Sequence, residues 1–161
     1  MSADIDQVHI DQVQSDRGQS YHRPAFLPAA THSYLDRAAQ CLTEAVECLD
    51  VPQRYALAHV SALRATAALL AARATPTPPR RRRQPTAWQL LAQVAPEFSE
   101  WATFFAAGAS KRAAAEAGSR RAVTGREADD LIRDAQRFLA LVEESLGVCA
   151  LRPGVSPART A

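Results

Sequence analysis

The sequence is short of lysine, cysteine and aromatic residues, and each shortage narrows what the chain is. Aromatic residues make up 6% while the hydrophobic fraction is 47%, much of it alanine, so closely packed helices are expected rather than a thick sheet core. Three cysteines, Cys41, Cys48 and Cys149, form no Cys-x-x-Cys pair. Cys41 and Cys48 would stand about 10 Å apart along a helix, beyond disulfide reach, and read as small buried residues in a reducing cytoplasm. The first thirty residues lack a basic start followed by an apolar core, and no run approaches a membrane span; a soluble cytoplasmic protein without membrane contact is expected. There is no Gly-rich phosphate loop with lysine, no His-x-x-x-His or Glu-x-x-His pair and no Gly-x-Ser-x-Gly elbow. Neither a metal nor another cofactor is expected. No segment alternates with period two over the length of a strand, which argues against a sheet.

What is present is arginine. All but one of the 19 basic residues are Arg, the exception being Lys111. The formal net charge is only +2, yet the span from Arg73 to Arg126 holds ten basic residues against three acidic ones. That excess of seven, set against a deficit of five elsewhere, marks the middle of the chain as the place for an anionic partner.

Residues 1–32 are polar, mildly acidic and broken by Gly18, Pro24 and Pro28, and are expected to form a disordered tail. The tail holds a short repeat, "IDQVH" then "IDQVQ", and a "PAFLP" stretch whose Phe26 and Leu27 could serve as a short binding motif. Residues 148–161 read as a second loose tail. Between them, residues 33–147 carry four helical segments. Ser33 to Asp36 resembles a capping box, and Leu35, Ala38, Leu42, Ala45 and Leu49 recur at helical spacing, which predicts a first helix over about 34–49. Asp50 as a cap with Pro52 in the first turn starts a second helix that meets no breaker before Ala74. The connection "TPTPPRRRRQP" is too rich in proline to be helical and should present Arg80, Arg81, Arg82 and Arg83 on an exposed loop. Thr86 caps a third segment that Pro96 should interrupt near Ala95, with Gly118 closing its second piece. Thr124 and Glu127 form a capping box for the last helix, which Gly147 ends.

These elements predict an all-α, up-and-down bundle of four or five helices between two disordered tails. Its core is expected to contain Leu35, Leu42, Tyr55, Leu63, Leu70, Leu91, Phe98, Leu131, Phe138 and Val142. The Ala-rich patches "RATAALLAA" and "FFAAGASKRAAAEAG" suit close helix packing, within one chain or between two copies.

The succession "RYALAHVSALRATAALLAAR", "AWQLLAQVAPEFSEWATFFAAGASKRAAAEAG" and "RAVTGREADDLIRDAQRFLALVEESLG" resembles the HEPN domain (higher eukaryote and prokaryote nucleotide-binding), in particular a compact branch common in actinobacteria. The resemblance covers roughly Ser33 to Gly147. It implies a helical bundle that often dimerises; many such domains bind or cleave RNA in toxin–antitoxin or defence settings, and others are inactive scaffolds. The family's ribonuclease signature, an Arg followed a few residues later by His near the start of the last long helix, works without metal. His exchanges the proton of the RNA 2′-hydroxyl and Arg stabilises charge on the phosphate.

Arg54 and His59 have that spacing, but on the second helix; the start of the last helix has no histidine. With so many arginines, about 0.4 such matches are expected by chance. On a helix the two side chains stand about 140° apart, and His59 lies beside the buried stripe of Tyr55 and Leu63, so a packed histidine is the reading preferred here. Arg80 to Arg83, with Lys111, Arg112, Arg120 and Arg121, form a candidate basic patch for nucleic-acid or nucleotide phosphates, although no aromatic residue is interleaved to stack bases. Asp129, Asp130 and Asp134 cluster on the last helix, where Arg133 and Arg137 stand close enough to pair with them instead of a cation. The chain therefore reads as a non-enzymatic binding module engaging RNA, a nucleotide or a cognate protein partner through its basic middle. The alternatives are a metal-independent endoribonuclease, the toxin of a toxin–antitoxin or defence pair, using Arg54 and His59, and a structural homodimerisation module.

Overall fold

The computed structural model describes residues 26–75 and 85–148; Arg80 to Arg83 and most of the two expected tails lie outside them, while residues 29–32, expected in the first tail, belong to a helix. The elements are α1 (Ala29–Glu47), α2 (Val51–Arg73), α3 (Ala87–Val94), a 3₁₀ turn (Pro96–Phe98), α4 (Ser99–Glu116) and α5 (Gly125–Ser145). There is no strand among the described residues, so the all-α bundle expected from the sequence is what forms.

Local chemistry fixes most boundaries. Asp50 accepts a hydrogen bond from the Gln53 backbone N–H at 3.1 Å and opens α2, with Pro52 in the first turn where it sacrifices no donor. Reciprocal capping boxes open α3 (Thr86 with Gln89) and α5 (Thr124 with Glu127). Pro96 lacks an N–H and its ring blocks the preceding turn, so α3 stops at Val94 and the chain re-enters helix through the 3₁₀ turn. Past α4, Gly118 takes φ +84°, and the paired bonds Gly118 N–H to Ala115 O and Ser119 N–H to Ala114 O close a Schellman motif. Gly147 ends α5 in the same way.

Long-range contacts set the directions. Ser61 Oγ donates to Ala38 O at 2.8 Å, and Arg54 Nε to Ala45 O at 3.3 Å, so α1 and α2 pack antiparallel. Arg54 meets Asp129 near the start of α5, and Arg73 meets Ser145 at its end, so α2 and α5 run side by side in the same direction. α4 returns between them. α2 touches all four other helices and is accordingly apolar on nearly every side. Its Ala58, Ala62, Ala65, Ala68 and Leu69 are completely buried, and the small side chains let neighbouring backbones approach. The larger rings of Trp88, Phe98, Phe105 and Phe138 fill the space among α3, α4 and α5.

Four expectations need correction. α1 starts at Ala29, about one turn before Ser33, because Thr31 is fully buried and draws the first turn into the bundle; no side chain caps it. Leu49 is 97% exposed, since α1 ends at Glu47 and Cys48 to Asp50 run extended to set up the next cap. Leu63 and Leu70 are only half-buried, because the alanine face and Leu69 hold the centre of α2. The other eight residues expected in the core are buried.

Candidate nucleic-acid interface

His59 sits at the centre of the bundle with no exposed surface. Its ring stands edge-on to Trp88 and to Phe105, with centroids 5.6 and 6.0 Å away. Nε2 lies 2.8 Å from the Phe105 carbonyl oxygen. A carbonyl only accepts, so Nε2 carries the proton and Nδ1 is a bare lone pair, which has no partner among the described residues. Burial pushes the pKa of His59 below the ordinary imidazole value, opposed by the Phe105 hydrogen bond and assisted by the positive charge of Arg112. A neutral, tautomerically fixed imidazole results.

Gly108 makes this arrangement possible. A Cβ built there would stand 2.9 Å from Tyr55 Oη and 3.4 Å from His59 Cδ2, so glycine lets α4 approach α2 this closely without displacing the Tyr55 hydroxyl. A lone glycine inside a helical pattern is the signal that sequence reading passed over.

Arg54, the other half of the signature spacing, faces away from His59. It donates through Nε to the α1 end and through its terminal nitrogen to Asp129, leaving its side chain 22% exposed. The two groups share no surface on which one phosphate could be bracketed.

The remaining expected residues collect at the end of the bundle where α4 passes into α5, and they differ in availability. Lys111 is tied to Glu127 and Arg112 to Glu116 at 3.7 Å. The hydrogen bond from Lys111, with further ones from the Thr124 backbone and hydroxyl, holds the Glu127 carboxyl down to about 2, while Glu127 raises the pKa of Lys111. Arg120 and Arg121 are exposed on the intervening turn and have no carboxylate within 4 Å among the described residues. Val123, 5% exposed, plugs the core beneath them and fixes the turn. Arg126, not singled out from the sequence as a binding residue, extends the row: its side chain is 92% exposed and only loosely held by Asp130 at 4.0 Å. Exposed guanidinium groups of this kind engage phosphate oxygens directly. No group of three or more His, Cys, Asp or Glu side chains among the described residues is arranged to hold a metal ion.

Phe104 also escaped the sequence reading. It is 45% exposed although it lies in the middle of an aromatic run, and it forms part of the wall of a hollow of about 430 Å³ with Tyr55, Leu131 and Asp134.

The expectation that no run approaches a membrane span needs correction: α2 is long and apolar enough to cross a membrane by length and composition, with a mean hydropathy of 1.3 over its most apolar window, because as the central helix of the bundle it is apolar on nearly every side. No curated protein and no solved structure matches the chain. The profile of the SAV_6107-like HEPN family matches residues 45–143, from the last turn of α1 to the last turn of α5. With more than half of the sequence inside that match, and almost the whole of α2 to α5, the chain belongs to the HEPN family.

Proposed function

We propose that this HEPN protein is a non-catalytic module that holds RNA by its phosphates at the α4–α5 end of the bundle. The observation that carries the reading is the pair Arg120 and Arg121: both exposed, both without a carboxylate partner among the described residues, on a turn pinned by Val123. Arg126 continues the cationic row. Arg80 to Arg83, which the sequence offers as further phosphate contacts, lie outside the described residues. Contacts of this kind recognise charge rather than sequence and weaken as salt rises. The neutral, enclosed His59 favours binding over cleavage, because a general base must reach its proton. A cytoplasmic setting, with its reduced cysteines, belongs to the same reading.

Fluorescence anisotropy with a labelled 20-nucleotide single-stranded RNA tests it. Replacing Arg120 and Arg121 together by Ser should weaken binding about tenfold at low salt. It should also lower the slope of log affinity against log salt by about 1.4, or 0.7 for each phosphate no longer neutralised. Binding equal to wild type, or independent of salt, would remove the turn from the account. RNA cleaved by wild type and left intact by a folded His59→Ala variant would favour the ribonuclease alternative.

A further inference from the structure

α4 and α5 barely touch along their backbones, and besides the Lys111–Glu127 ion pair what joins them is rings: Trp101 and Phe105 of α4 both pack at a tilt against Phe138 of α5. Beside those rings lie two hollows that share no lining residue and are linked through the contact of Trp101 with Phe104, together read here as one groove. One, of about 430 Å³, lies beside Phe104 and Asp134; the other, of about 390 Å³, lies beside Trp101, Leu141 and Glu144. Trp101 and Phe104 meet edge-on at the boundary, with centroids 6.1 Å apart. Phe104 and Leu141 are 45% and 37% exposed, so the groove carries apolar surface that the folded chain leaves uncovered.

The charge around that surface is the reverse of the chain's own. Five carboxylates line the two hollows (Glu97, Glu127, Asp130, Asp134 and Glu144) against two lining cations (Lys111 and Arg133) and two more, Arg73 and Arg126, that pair with Glu97 and Asp130 from the rims, a net of minus one on a protein whose formal net charge is +2. Glu97, Glu127 and Asp130 are ion-paired. Asp134 and Glu144 have no cation within 4 Å among the described residues. Ten residues separate them on α5, about 15 Å along the axis, and the apolar surface lies between.

From this arrangement we infer that the α4–α5 groove is a docking site for a basic amphipathic helix of a partner protein. The partner lays an apolar face over Phe104, Trp101 and Leu141 and places cationic side chains about 15 Å apart against Asp134 and Glu144. The groove extends from Glu127 to Ser145, so the docked helix is about 18 residues, or 27 Å, long. Nucleic acid is the wrong sign for this face. A second copy meeting it through a two-fold axis would bring the carboxylates against one another.

The test uses the full chain and a fluorescein-labelled 18-residue peptide with leucine on one helical face and lysine on the other, beside a twin carrying glutamate for lysine. The lysine peptide should bind wild type and the glutamate peptide should not. Phe104→Ser should weaken binding of the lysine peptide at least tenfold, and so should the double variant Asp134→Lys, Glu144→Lys, which should in turn gain affinity for the glutamate peptide. Circular dichroism confirms folding, and the charge reversal, confined to polar positions, serves alone if Phe104→Ser unfolds. Equal binding of the lysine peptide by wild type and the charge reversal overturns the proposal. So does unchanged binding by folded Phe104→Ser, or a wild-type dimer that Phe104→Ser dissociates, which would give the groove to a second copy. Replacing Arg120 and Arg121 by Ser should leave peptide binding unchanged, so this site and the RNA-binding turn stand or fall separately.

Discussion

Replacing His59 by Ala should destabilise the bundle without removing any activity. The imidazole is fully buried, so its loss leaves a cavity of roughly 60 Å³, which at about 24 cal/mol per Å³ amounts to about 1.4 kcal/mol. The Nε2 hydrogen bond to Phe105 O adds about 1 kcal/mol; it adds no more because that carbonyl also accepts within α4. The total is about 2–3 kcal/mol, a drop in Tm of about 10 °C for a domain of this size. His59→Gln, whose amide nitrogen reaches the same carbonyl, should recover about half of the loss. The pH dependence has a definite sign. Because burial lowers the folded-state pKa, the unfolded chain takes up the proton first as pH falls through about 6.5, and wild-type stability declines below that point at up to about 1.4 kcal/mol per pH unit until the folded pKa is reached. His59→Gln should lack this component. Thermal denaturation followed by circular dichroism between pH 4.5 and 8 measures both effects. Unchanged Tm in His59→Ala, or a stability that rises as pH falls from 7 to 5.5 in wild type and not in His59→Gln, would refute the account of this histidine.

Gly108→Ala should be neutral or destabilising in wild type and stabilising by up to about 1 kcal/mol in a Tyr55→Phe background, since the new methyl meets the Tyr55 hydroxyl at 2.9 Å and the ring alone leaves room; a double-mutant cycle by denaturant melts reads the coupling, and additivity would contradict the close approach. Gly118→Ala should cost about 1 kcal/mol by the same melts, because a side chain is strained at φ +84° even though space around it is open; no change would mean that the turn relaxes. The Glu127 carboxyl should titrate near 2 by carbon NMR and move up towards the ordinary range in Lys111→Met. With its folded pKa depressed, the stability it lends is present above about 4.5 and fades as pH falls towards 2, and a Glu127 that titrates normally in wild type would break the Lys111 pair.

Punctuation made the fold legible. Asp50, Thr86, Pro96, Gly118, Thr124 and Gly147 each act through their own backbone or the adjacent turn, so four helices could be bounded from the sequence to within three residues, the widest gap being the 3₁₀ turn between Pro96 and the start of α4. α1 eluded that logic because its first turn is held by the burial of Thr31, a tertiary effect, and not by a cap. The burial of His59 was legible from its register beside Tyr55. The Asp129 partner of Arg54 was not, since it is 75 residues away and no local pattern encodes which helix lies opposite. Phe104 shows the same limit: "WATFF" announces an aromatic core, but which ring stays outside depends on how far α5 stands from α4.

The central place of α2 has a consequence for how the protein is made. Its longest apolar stretch leaves the ribosome before the helix that flanks it in parallel exists, because Arg54 and its partner Asp129 are 75 residues apart. At about 5–20 residues per second, that interval lasts roughly 4–15 s, far longer than a helix needs to form. During it the nascent chain presents a 23-residue segment hydropathic enough to pass for a membrane span, with only α1 to cover one side. Completion of α5 ends that exposure, so a chain truncated before residue 125 should partition into aggregates or chaperone complexes rather than fold as a smaller bundle.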